Sequence, residues 1–157
     1  MPKFGKVLGI DYGNVRIGIA ISDEDKIVAF PKESIKNTSK KEVLRRLKVL
    51  IETEKVVEII VGMPFSMEGA KSDQTMLTEK FIKFFKSQID LPIGTWDERL
   101  TSVQSDVILN TLRLRGHKRK IERDIIAASL ILQNYLDCKR NKGKKGKQGE
   151  HISLKNK

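Results

Sequence analysis

Three acidic positions in this sequence stand where carboxylates do chemistry. Asp11 ends a short apolar run, Val7-Leu8-Gly9-Ile10. Asp97 and Glu98 end another, Ile93 to Trp96, just before a helix-start signal. Asp124 falls in the first turn of a stretch rich in Ile, Leu and Ala. In α/β proteins, sites collect at strand ends and at the helix starts beside them. Carboxylates gathered in one place raise each other's pKa by repulsion. A hard divalent cation removes that conflict, and an all-oxygen donor set favours Mg2+ or Mn2+ over zinc. His117 and His151 are not at metal-ligand spacing and Cys138 is the single cysteine, so no zinc site is expected. Taken one at a time, each acid has an ordinary explanation. An Asp after a strand serves as a turn residue. An acid in a first helical turn complements the dipole. Glu98 beside Arg99 can be a surface ion pair. Joint action requires the first and last strands to lie close in one sheet.

The elements that must position these acids are legible from periodicity. Lys6 to Asp11 reads as a strand. Gly13 and Asn14 form a turn, and Arg16 to Ser22 alternates Ile17, Ile19 and Ile21 with small residues, so a hairpin is expected. Ile27 to Phe30 reads as a third strand, stopped by Pro31. Ser39 and Glu42 make a capping box ahead of a helix carrying Val43, Leu47, Leu50 and Ile51. Glu58 to Val61 is a strand apolar enough to be covered on both faces, and Gly62 to Gly69 reads as a loop. Ser72 or Asp73 starts a second helix, with Leu77, Phe81, Phe84 and Phe85 inward. Ile93 to Trp96 is the last strand. Thr101 and Gln104 form another capping box, for a helix through Val103, Val107, Ile108 and Leu112. Arg113 to Lys120 reads as a basic loop, and Glu122 to Leu136 as the final helix. A three-strand meander followed by alternating strands and helices predicts an α/β fold, a mixed sheet with helices on its faces.

The length of 157 residues suits one domain. Residues 1–138 are expected to form it, with 139–157 a basic, disordered tail. The tail sets eight Lys and Arg against Glu150, a balance of +7, leaving +4 of the total +11 for the body. Such a protein gathers polyanions, because bound phosphates release their counterions. One cysteine excludes an internal disulfide and fits a reducing compartment. No stretch reads as a signal peptide or a membrane span, so a cytoplasmic location is expected. Aromatic residues make up 6% of the chain, too few for a base-stacking platform.

Asp11-Tyr12-Gly13-Asn14-Val15-Arg16-Ile17-Gly18 resembles the first motif of the YqgF family, also called RuvX, in the RNase H-like superfamily. Val61 to Gly69 is similar to its second motif and Asp97-Glu98-Arg99-Leu100-Thr101 to its third. Asp124 with Ala127 and Ala128, followed by Leu132-Gln133-Asn134-Tyr135-Leu136, resembles its C-terminal helix. The four appear in the family's order over about residues 7–136. The resemblance implies an RNase H-like fold with a central five-stranded sheet. It implies a nuclease acting in 5′-end maturation of pre-16S rRNA, or, on an older proposal for the family, a Holliday junction resolvase. By motif position the catalytic and metal-binding triad maps to Asp11, Glu98 and Asp124, with Asp97 as an alternative ligand. Two Mg2+ or Mn2+ ions about 4 Å apart would then activate water and stabilise the leaving oxygen. Arg16, Lys71 and Arg99 lie in or beside the motifs as candidate phosphate contacts, and Arg113, Arg115, Lys118 and Arg119 as candidates to track the backbone. A monomer or weak homodimer is expected.

Two other readings compete. An Asp-x-Gly after a strand also opens phosphotransferases of the actin and sugar-kinase type, but those enclose their nucleotide with a second lobe that this length does not accommodate. A non-catalytic nucleic-acid-binding assembly factor could keep the same fold.

Overall fold

The computed structural model describes residues 4–66, 68–114 and 120–155. The first four strands are β1 (Lys6–Tyr12), β2 (Arg16–Ser22), β3 (Ala29–Lys36) and β4 (Val56–Met63), and β5 (Ile93–Asp97) completes one sheet. Their order is β3-β2-β1-β4-β5. The pairs β1–β2 and β2–β3 are antiparallel, while β1–β4 and β4–β5 are parallel. Only β4 separates the first strand from the last, so Asp11 and the Asp97-Glu98 pair leave the same edge of the sheet as near neighbours.

Strand alternation divides the core into two layers. Leu8, Ile10, Ile17, Ile19, Ile59 and Val61 face one way. They are covered by α1 (Lys40–Thr53), through Val43, Leu47 and Leu50, and by α2 (Asp73–Gln88), through Phe81, Ile82 and Phe85. Val7, Ala20, Ile60 and Trp96 face the other way, under Ala128, Ile131, Leu132 and Leu136 of α4 (Lys120–Lys155). Each such side chain withdrawn from water contributes on the order of 1.5–3 kcal/mol. Between β5 and α4 run a 3₁₀ turn, Glu98–Leu100, and α3 (Val103–Leu114).

Several local expectations change. Pro31 does not stop the third strand; β3 passes through it to Lys36. The strand is at the sheet edge, and the register shifts at Pro31, where a missing N–H costs little. Ser39 caps α1 by accepting from the Glu42 N–H, but the Glu42 carboxylate binds Arg45 instead of closing the box. The full box occurs at α2, between Ser72 and Thr75. Leu77 is exposed, and Thr78 takes the inward place. Gly62 and Met63 extend β4 instead of opening the loop.

The start of α3 is held by Ser102, whose Oγ accepts from the Ser105 N–H, while Thr101 donates to the Glu98 carbonyl of the preceding turn. Residues 113 and 114 continue α3, and 115–119 lie outside the described residues. The helical backbone of α4 runs to Lys155, through the segment expected to be disordered.

Candidate active site

Alternation decides which way Asp11 points. Leu8 and Ile10 pack under α1 and α2, and Tyr12 packs with them against Phe81. Val7 belongs to the α4 layer, so Asp11, four residues on, shares its face. The chain beyond Asp11 is fixed by two side chains. Gln74 Nε2 donates to the Tyr12 carbonyl at 2.8 Å, and Asn37 Nδ2 to the Gly13 carbonyl at 3.0 Å.

The same parity places Gly18, which pairs with Asp11 across β1–β2, on the α4 face. A Cβ at Gly18 would stand 2.1 Å from the Asp124 carbonyl oxygen. Only glycine admits the first turns of α4 this close, and the approach brings Asp124 beside β2. Its Oδ2 accepts from Arg16 Nε at 3.0 Å.

Asp97 and Glu98 part company at the end of β5. Asp97 Oδ1 accepts from the Arg99 N–H at 2.9 Å and so caps the 3₁₀ turn. Its carboxylate also receives Arg99 Nε, and this pairing holds its pKa below the usual carboxylate range. Arg99 lies over the Phe65 ring at 5.3 Å, so Asp97 and Arg99 brace the loop after β4. Glu98 turns to the α4 side. Its Oε1 would be 2.7 Å from a Cβ at Gly62, so the carboxylate rests on the bare backbone of β4.

Asp11 and Glu98 thereby line one cleft of about 240 Å³, with Thr101, Asp106 and the α4 residues Ala127, Leu130 and Ile131. Asp106 escaped the sequence reading. In the first turn of α3 it resembled an acid placed for the helix dipole; the signal available was the one used for Asp124, a helix start close behind a strand end. Asn134 of α4 ties down the backbone around Asp106. Its Oδ1 accepts from the Ser102 N–H at 3.2 Å, and its Nδ2 donates to Ser105 Oγ at 3.1 Å. Neighbouring Gln133 accepts from the Ala29 N–H and donates to the Ile27 carbonyl, and Tyr135 donates to the buried Glu58 at 2.7 Å. Three successive polar residues of α4 thus hold the edge strand, the α3 start and β4. Burial, and then the bond to Glu58, push the Tyr135 hydroxyl pKa well up.

The other candidates are placed as follows. Asp124 is engaged by Arg16 and does not line the cleft; neither does Asp97. Lys71 pairs with Glu79 at 2.8 Å, and Arg99 with Asp97. Arg113 lies in α3, while Arg115, Lys118 and Arg119 are outside the described residues. Among the described residues, no three acidic, histidine or cysteine side chains are clustered so as to hold a metal ion as they stand. The donor chemistry of the cleft nonetheless suits one. Carboxylates and a hydroxyl are hard oxygen donors of the kind Mg2+ and Mn2+ take. Cys138 packs instead with the α4 layer of the core.

Comparison with known proteins agrees with this architecture. The model of a family described as "RuvX: Holliday junction resolvase" matches residues 5–138. A protein named "Putative pre-16S rRNA nuclease" from Halothermothrix orenii is 41% identical over 132 residues, covering 84% of this chain and 94% of its own length. One of the same name from Protochlamydia amoebophila is 39% identical over 145 residues, covering 88% and 97%. Among solved structures, T. thermophilus RuvC in complex with a Holliday junction substrate superposes with a TM-score of 0.54 at 13% identity, over 82% of this chain and 91% of that one. The large terminase nuclease of thermophilic phage G20c gives 0.52 at 16%, over 85% and 82%. At such low identity these two likenesses establish the fold alone.

Proposed function

Because the chain belongs to the RuvX family of nucleases, we propose that it hydrolyses phosphodiester bonds with Mg2+ or Mn2+ held at the Asp11–Glu98 cleft, and that its substrate is the 5′ end of pre-16S rRNA. The observation that carries this reading is the shared cleft itself. Two carboxylates from the strands on either side of β4 line one cleft, Glu98 resting against Gly62, with a third, Asp106, from α3. The rRNA assignment is supported by the name of the curated relatives, which this chain matches over most of its length.

In this reading Asp11 is the central ligand, fixed by β1. Glu98 serves one side, from the turn after β5, and Asp124 the other, from the start of α4. Asp106 adds negative charge that favours a cation. Divalent ions bound there would supply an activated water and stabilise the leaving oxygen. Arg16, on β2 two positions from the Gly18 that pairs with Asp11, would meet a substrate phosphate. Arg99 is committed to Asp97 and Phe65 and acts through the position of Glu98. No helix among the described residues is long and apolar enough to cross a membrane.

The test is cleavage of a structured rRNA precursor beside a four-way DNA junction, each with Mg2+, Mn2+ or EDTA. Metal-dependent cleavage of the precursor, abolished by Asp11→Asn in a protein that still folds and binds, is the expected result. Full activity of that variant defeats the metal-site reading. Binding without cleavage in either metal favours an assembly factor. The description of the matching family favours one second reading, junction resolution, and preferential cutting of the junction would select it.

A further inference from the structure

Arg16 and Asp124 form an ion pair at 3.0 Å whose side chains are 29% and 32% exposed. Partly exposed pairs of this kind are weak and exchange partners readily. Neither residue lines the cleft, but both adjoin the strand pair that carries Asp11. Arg16 stands two positions from Gly18, the residue opposite Asp11, and the Asp124 backbone rests on that glycine. Asp124 is not among the cleft-lining residues, and among the described residues no three acids are placed closely enough to hold an ion as they stand. The guanidinium that holds Asp124 is a planar fork of donors that fits a phosphate as well as a carboxylate.

We propose that Arg16 is a positioning residue that holds Asp124 off the metal site until a substrate phosphate takes over its guanidinium. This rests on the metal-site reading above. Phosphate and Asp124 compete for one cation, so nucleic acid releases Asp124 toward the ions beside Asp11. By linkage, substrate then tightens metal binding, and metal tightens substrate binding by the same factor. The free protein, with one ligand withheld, binds metal weakly.

The experiment titrates Mn2+ into the full chain without nucleic acid, following free Mn2+ by paramagnetic resonance. The proteins are wild type, Arg16→Gln, Asp124→Asn and the double variant. Arg16→Gln is expected to bind Mn2+ tighter by roughly five-fold or more, in the range of ordinary coupling between sites. The gain is expected to vanish in the Asp124→Asn background. A phosphorothioate-linked RNA duplex should tighten Mn2+ binding to the wild type and leave Arg16→Gln unchanged. Equal gains in both backgrounds would mean simple removal of a positive charge and would overturn the proposal, as would no gain at all. Arg16→Lys, which keeps the charge and a pairing group, is expected to stay near wild type; if it binds as tightly as Arg16→Gln, the ion pair is not the cause. Wild-type Mn2+ binding in Asp11→Asn would instead mark failure of the metal site itself.

Discussion

Gly18 pairs with Asp11 across β1–β2, and on its open side it touches the backbone of Asp124. A residue with no side chain therefore links two acids that are 113 positions apart in sequence. Strand pairing supplies one contact and the absence of a Cβ supplies the other. Gly62, likewise bare, gives room to the Glu98 carboxylate on β4.

Gly18→Ala should accordingly do more than crowd a core. The new methyl would meet backbone at 2.1 Å, and backbone cannot rotate aside. The start of α4 must lift, at a cost of about 1–3 kcal/mol, the usual range for overpacking. Urea unfolding reads that loss. Unchanged stability would show that α4 does not press on β2 here.

Glu98→Gln and Asp97→Asn should separate cleanly. The first removes a carboxylate from the cleft and should abolish most cleavage and weaken Mn2+ binding. The second keeps an oxygen that can cap but removes the charge paired with Arg99, and should cost no more than about 1 kcal/mol of stability while leaving saturable Mn2+ binding. The reverse pattern would reassign the ligand.

Asp106→Asn should weaken Mn2+ binding by less than Asp11→Asn does, because Asp106 adds charge to the cleft while Asp11 is the central ligand of the proposed site. Asn134→Ala removes two hydrogen bonds that fix the α3 start and should cost roughly 1–2 kcal/mol. If Asp106 acts in the cleft, Asn134→Ala should also lower activity, most visibly at limiting metal.

Acid should loosen the Asp97 cap. The Arg99 bond depresses the folded-state pKa of Asp97 below its ordinary value of 3.8. A depressed carboxylate contributes stability that is fully present above the unfolded pKa and lost as pH falls through the folded one. The loss thus falls in the acid range below about pH 4, and neutral pH leaves the pair intact. Melting temperatures from pH 7 down to pH 3 should fall more steeply for wild type than for Asp97→Asn. Parallel slopes would rule the pair out as the source.

Much of this protein was legible in its sequence. Alternation in Arg16 to Ser22 and the apolar run before Asp11 marked the strands, and helical spacing marked α1 and α2. Both patterns report burial on one face, which local periodicity encodes. Motif order marked the family, and the family match covers residues 5–138. Where local rules failed, a neighbour had intervened. Pro31 sits in a strand because that strand is at the edge. Ser102 displaces Thr101 as the cap of α3 because Asn134 and Ser105 hold it in place.

The sequence by itself determined the elements, the basic charge and the acids worth watching, since these follow from residue type and near spacing. The tertiary structure alone decided which acids meet. It put Asp11 and Glu98 over one cleft, gave Asp97 to Arg99 and Asp124 to Arg16, and brought in Asp106. Those choices depend on strand order, on which face a side chain leaves, and on two glycines, one admitting the α4 backbone and the other the Glu98 carboxylate. Each is a relation between segments far apart in the chain, and no local pattern carries it.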